Sequence, residues 1–136
     1  MTFSDVTPNL VVADVARSLA FYRDVIGFSL VTTVPETAPF AFASVQRDGV
    51  NVFLNARDSV RTDLPELGAR PIGGTCTLFI VLEAETTTAG VDAMRSTVGS
   101  RARVIMELKN QFYGMREFGI EDPDGYVVFF AQRLAA

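Results

Sequence analysis

The sequence predicts an α+β chain built from two βαβββ modules, and three observations carry that reading. Asp48-Gly49 and Asp124-Gly125 each precede an apolar run with Phe four residues past the Gly, at Phe53 and Phe129. A strand-then-helix pattern opens at Thr7 and restarts at Thr77. Between the repeats, "ARDSVRTDLPELGARPIGG" is rich in turn formers and charge. The expected organisation is a single domain over 1–136: module one over 1–55, a linker or flap over 56–74, and module two over 75–136.

Taken in order, "DVTPNLVVAD" is an apolar run closed by Asp14, which suits a strand followed by a helix N-cap. In "VARSLAFYRDVIGF", Val15, Leu19, Tyr22 and Val25 or Ile26 recur on one helical face, and Gly27 fits the stop. "FSLVTTV", "FAFASVQ" and "VNVFLN" read as strands, the last two joined at Asp48-Gly49. "TCTLFIVLEA" restarts the pattern. A weaker helix follows in "ETTTAGVDAMRSTVG", with Thr86 to Thr88 as candidate caps and Val91, Met94 and Val98 on one face. "ARVIMEL", "GMREFGIE" and "YVVFFAQ" complete the second set; "DPDG" predicts a type I turn with a Gly bulge.

Composition narrows function further. The chain has 136 residues, with 12 Lys and Arg against 16 Asp and Glu, for a net charge of −4. No basic cluster is long enough to follow a phosphate backbone, so nucleic acid is not an expected partner. The mildly acidic surface keeps the protein in solution, and would tolerate or favour a cationic ligand. No apolar run approaches a membrane span, and no secretory signal stands out, so a cytoplasmic location is expected. There is no histidine. That removes His general bases, His-activated nucleophiles and His-ligated metals together. Cys76, the single cysteine, is expected to be a small buried apolar residue.

"VADVARSLAFYRDVIGF" (12–28) and "YGMREFGIEDPDGYVVFFAQ" (113–132) resemble the first strand end and helix, and the last hairpin, of the vicinal oxygen chelate superfamily. That superfamily includes glyoxalase I, extradiol dioxygenases and bleomycin resistance proteins; the hairpin most resembles the bleomycin-resistance branch. The resemblance implies a curled mixed sheet around a cleft, and a homodimer. It also implies four metal-ligand positions, one on the first and one on the last strand of each module. Matched by motif, these are Thr7, Phe53, Thr77 and Phe129. Metals of this class need carboxylate, imidazole or amide donors. Phe supplies no lone pair and isolated Thr hydroxyls are weak ligands, so no family-type metal site and no cofactor is expected. A one-residue slip would offer Val52, Leu54, Val128 and Phe130, which are equally inert.

Strand alternation then names the neighbours of those positions. Asn9 and Val11 follow Thr7; Asn51 and Asn55 flank Phe53; Phe79 and Val81 follow Thr77; Glu117, Gly119 and Glu121 face Phe129 if the last hairpin is bulged. Phe42 and Ser44 join only if the Asp48-Gly49 register allows. The expected ligand-binding residues are Asn9, Asn51, Phe53, Phe79, Tyr113, Glu117 and Phe129. Each has a plainer reading. The rings could fill a collapsed core, the Asn amides could serve turns or edges, and Glu117 could be a solvated strand charge. Tyr113 and Phe112 could be a ligand platform or a loop anchor. Arg116 is expected to pair with a structural acid.

Three functions fit this pattern. The first is a non-enzymatic protein that sequesters an aromatic small molecule, cationic ligands included, in a metal-free cleft. The second is a glyoxalase-, epimerase- or dioxygenase-like enzyme with a non-standard or absent metal site. Glu117 with Tyr113 is the one acid–base pair it could use. The third is an interaction module without a small ligand.

Overall fold

A computed structural model describes residues 1–83 and 90–135 and divides the chain into two compact units, Met1–Ile72 and Gly73–Ala136. The expected Thr86 to Thr88 caps lie outside the described residues.

In the first unit, strand β1 (Asn9–Val12) leads into helix α1 (Val15–Phe21), which continues as a π turn over Tyr22–Ile26. Asp14 caps the helix, its Oδ1 accepting from the Arg17 N–H at 3.2 Å. Gly27 ends it with φ +88°, in the left-handed region. A Cβ at Gly27 would stand 2.7 Å from Arg47 Nη1. That guanidinium donates to the Ile26 carbonyl, so the glycine opens space for the side chain that satisfies the helix end. Strands β2 (Ser29–Val34), β3 (Phe42–Arg47) and β4 (Val50–Ala56) follow, in the sheet order β1-β4-β3-β2. β1 and β4 run parallel and the other pairs antiparallel. The β3–β4 turn has φ +49° at Asp48 and +83° at Gly49, the two positive values of a type I′ hairpin.

One face of this sheet is closed by α1. Leu10, Val12, Ala43, Val45, Val52 and Leu54 are buried there against Val15, Leu19, Tyr22, Val25 and Ile26. The expected helical face is the observed one, and the π turn lets both Val25 and Ile26 contribute to it. The segment expected as a linker instead folds into helix α2 (Arg57–Asp63) and the short helix α3 (Pro65–Gly68). A Cβ at Gly68 would lie 2.9 Å from Arg61 Cα, so glycine allows the two helices to close on each other.

The second unit repeats the plan. Strand β5 (Thr77–Val81), helix α4 (Val91–Val98) and strands β6 (Arg103–Asn110), β7 (Met115–Glu121) and β8 (Val127–Arg133) form a sheet ordered β5-β8-β7-β6, again with only the first and last strands parallel. Leu78, Phe118, Ile120, Val128 and Phe130 are buried on the face toward Val91, Met94 and Val98. Phe118 and Phe130 are register partners with stacked rings 5.3 Å apart. On that side Gln132 Oε1 accepts from the Val91 N–H at 2.8 Å, satisfying one donor at the start of α4. Arg116 forks onto Asp92 at 2.9 and 3.0 Å, the structural pairing expected of it. In the β7–β8 turn, Asp122 Oδ1 accepts from Asp124 N and Tyr126 N, both at 2.9 Å, and Gly125 takes φ +90°. This is the expected turn with its Gly bulge.

Both sheets are open and mixed. Among the described residues, no helix is long and apolar enough to cross a membrane.

Removing a stacked ring from the second core leaves a cavity that its neighbours cannot close. Phe118→Ala should lower stability by about 3–5 kcal/mol, and Asp14→Ala by about 1 kcal/mol, in urea titrations followed by circular dichroism. Equal losses for the two variants would contradict this division between core and cap.

Candidate functional site

With one face of each sheet closed by a helix, register determines what the other face carries. In the first unit, Asn9, Phe53, Ser44 and Thr32 form one row across β1, β4, β3 and β2; Val11, Asn55, Phe42 and Val34 form the next. This settles Phe42 and Ser44 as members of the face. Thr7, matched by motif to a ligand position, lies outside the strand, which starts at Asn9. The Phe53 N–H still donates to the Pro8 carbonyl at 2.9 Å.

The rings of Phe42 and Phe53 meet edge to face with centroids 5.3 Å apart. Asn55 Nδ2 donates to Asn9 Oδ1, and reaches the Leu10 carbonyl at 3.5 Å. Asn9 is therefore tied to Asn55, a residue of its own face outside the expected binding set. Asn51 belongs to the turn: its Nδ2 donates to the Gly49 carbonyl at 3.4 Å. Asn9, Asn55, Phe42 and Val34 line a cavity of about 350 Å³, closed on another side by Val60, Leu64 and Leu67 of the α2–α3 segment. Sequence periodicity missed this wall because only those three apolar residues mark it, and no side chain of α2 is buried.

The second unit has three rows on its open face: Thr77, Val127, Glu121 and Arg103; Phe79, Phe129, Gly119 and Met106; Val81, Ala131, Glu117 and Lys109. Gly119 lies opposite Phe129, and Glu117 and Glu121 share its face, as the bulged hairpin predicts. A Cβ at Gly119 would stand 2.8 Å from Phe129 Cε1, so glycine is the residue that lets the ring lie across β7. Phe79 is 51% exposed, with its ring centroid 6.4 Å from that of Phe129. The Phe79–Phe129 pair is thus an open apolar wall and not filler of a closed core.

Beside it, Glu117 is only 3% exposed. The plainer reading of Glu117 as a solvated strand charge does not hold, because Gln111 and Tyr113 of the β6–β7 connection lie against it. Tyr113 Oη donates to Glu117 Oε1, and Gln111 Nε2 donates to the same oxygen at 3.1 Å. Oε2 is buried and has no hydrogen-bond partner among the described residues. The bond to Glu117 pushes the Tyr113 phenol up to about 12, because ionising it would remove the donor and set two negative charges together. Phe112, 99% exposed, meets Tyr113 edge to face at 5.2 Å. Cys76, expected to be buried, is exposed, since it lies just before β5 and not within it.

The donor set does not suit a divalent metal at the family positions. Phe53 and Phe129 present rings there, packed against Phe42 and Phe79. Among the described residues no group of three or more His, Cys, Asp or Glu side chains comes together.

Residues 5–130 match the family model for the glyoxalase/bleomycin resistance protein/dioxygenase superfamily. Among solved structures, the chain is similar to TioX from Micromonospora sp. ML1, at 20% identity and TM-score 0.74, covering 97% of this chain and 100% of that one. It is similar to a glyoxalase/bleomycin resistance protein/dioxygenase from Nocardioides, at 21% identity and TM-score 0.76, covering 99% and 88%. It is also similar to a lactoylglutathione lyase from Agrobacterium tumefaciens, at 19% identity and TM-score 0.72, covering 97% and 95%. No curated protein matches the sequence. At these identities the neighbours speak for the fold, and together with the family match they place the chain: it belongs to the glyoxalase/bleomycin resistance protein/dioxygenase superfamily.

Proposed function

We propose that this chain is a non-enzymatic small-molecule binding protein that sequesters an aromatic compound without a metal. One observation carries the proposal. At the two positions where a metal-binding relative would place donors on its last strands, each unit has a pair of aromatic rings on its open face: Phe42–Phe53 and Phe79–Phe129. Open ring pairs favour stacking of a flat organic ligand. The role extends to Asn9, the register partner of Phe53, to Glu117, one row from Phe129, and to Tyr113, which is hydrogen-bonded to Glu117. Asn51 is satisfied by its turn and contributes least. A homodimer is part of the proposal on the family resemblance alone, and a cytoplasmic location on the default that a single cysteine allows.

The enzyme reading has one supporting contact, the Tyr113–Glu117 hydrogen bond. A phenol held up near 12 stays protonated at neutral pH and cannot serve as a base there. It serves better as a fixed donor orienting Glu117.

Calorimetry against a panel of polycyclic aromatic compounds should show saturable binding, and Phe129→Ala should weaken it about tenfold, about 1.4 kcal/mol. No heat from any compound would defeat the proposal. Protein exchanged into metal-free buffer should contain no stoichiometric Zn, Ni, Fe or Mn by elemental analysis; one equivalent of any of them would restore the enzyme reading.

The Tyr113 phenol also sets a pH dependence. Its folded value lies above the ordinary 10, so the Tyr113–Glu117 contribution to stability is complete below pH 10 and disappears as the pH rises through about 12. Titration followed by phenolate absorbance, wild type minus Tyr113→Phe, should place this phenol above 10, and Glu117→Gln should bring it back down. A difference curve centred near 10 in the wild type would show that the hydrogen bond is absent in solution.

A further inference from the structure

We infer that Glu117 is the specificity residue of this face and that the ligand it selects carries a protonated nitrogen, an ammonium or amidinium group, on its aromatic body. The inference rests on the reading of Phe79 and Phe129 as a ligand wall and adds the chemical class of what that wall holds.

Three other acids of the second unit set the comparison; a further buried one, Asp122, is met by backbone N–H groups. Glu121, two rows along the same strand, pairs with Arg103 at 3.0 Å. Glu107 on β6 pairs with Arg95 at 2.7 Å, and Asp92 on α4 with Arg116 at 2.9 Å. Each of these acids is more exposed than Glu117, and each has a guanidinium. Glu117 is the most buried of the four and has only neutral donors, Tyr113 and Gln111. Lys109 is its register partner on β6, yet no Lys or Arg nitrogen approaches within ion-pair distance of it among the described residues. A buried carboxylate without a cation is the costly case, and its cost falls if a ligand brings the cation.

Geometry points the same way. Both neutral donors converge on Oε1, which leaves Oε2 buried and unpartnered. Native proteins rarely leave such an atom unmet, and an acceptor-only oxygen calls for an N–H or O–H donor. Across β8 the row continues into Ala131, and the adjacent row holds the Phe129 ring over Gly119. A cation reaching Oε2 therefore lies next to aromatic surface, where ring quadrupoles favour positive charge. Tyr113 and Gln111 act as positioning residues: they hold Oε1 and so direct the free oxygen.

The test uses two probes of one shape, 1-naphthylmethylammonium and the neutral 1-naphthalenemethanol, each titrated into the isotopically labelled full chain and followed by amide chemical shifts. The expected result is saturable shifts around Glu117, Gly119 and Phe129, with the ammonium binding about 10- to 100-fold more tightly than the alcohol. Glu117→Gln, which keeps the shape and removes the charge, should abolish that preference, weakening the ammonium about 10- to 100-fold and the alcohol far less. Tyr113→Phe, a second variant in case Glu117→Gln unfolds, should reduce the preference without reversing it. Equal affinities for the two probes in the wild type would overturn the role of Glu117 and leave the aromatic wall standing. Shifts from neither probe would overturn both. A preference that survives Glu117→Gln would assign it to another acid and overturn the inference.

Discussion

The parallel pairing of first and last strand in each unit is the constraint on which the rest of the structure depends. Asn9 opposite Phe53 and Phe79 opposite Phe129 are consequences of that register. Once α1 and α4 bury one face of each pair, alternation leaves these residues on the other face. The type I′ turn at Asp48-Gly49 and the bulged turn at Asp122–Gly125 then carry the register to the third strand. A slip of one residue would put Phe53 and Phe129 into the cores and bring Leu54 and Phe130 out. The buried ring stack of Phe118 on Phe130 and the close fit of Gly119 under Phe129 both resist that slip, one from each face.

Much of this was legible in the sequence because it rests on local chemistry. Asp-Gly turns, an Asp N-cap and a helical apolar stripe act over a few residues, and each has a side-chain signature. So did the opposition of Gly119 to Phe129, which follows from turn type by counting. What escaped depends on segments folding back over one another. Nothing in "ARDSVRTDLPELG" marks a helix strongly, since α2 buries no side chain. Its helical form rests on packing, with Gly68 against Arg61, as much as on propensity. Alternation puts Glu117 on the face of Phe129 but says nothing of its burial. Its burial comes from Tyr113 and Gln111 in the preceding connection. Cys76 failed for the opposite reason: its apolar character was read without fixing where β5 begins.

Metal donors and apolar rings compete for the same positions on the open faces. At Phe53 and Phe129 the chain carries rings where the resemblance implies metal donors, and rings attract flat organic groups. The three Asn on β1 and β4 show how little polarity is left: Asn55 and Asn9 bond to each other, while Asn51 serves its own turn.

Against that apolar background Glu117 is conspicuous. Were its burial a simple packing accident, an isosteric apolar residue would serve the fold at least as well, because an uncompensated buried acid opposes folding. Its surroundings are instead arranged around it. Tyr113 gives up free ionisation to stay its donor, and Gln111 adds a second bond to the same oxygen. Two donors on one oxygen and none on the other is a poor solution for a structural acid, which would spread its partners over both. It is a good solution for an acid whose second oxygen is kept for a partner from outside.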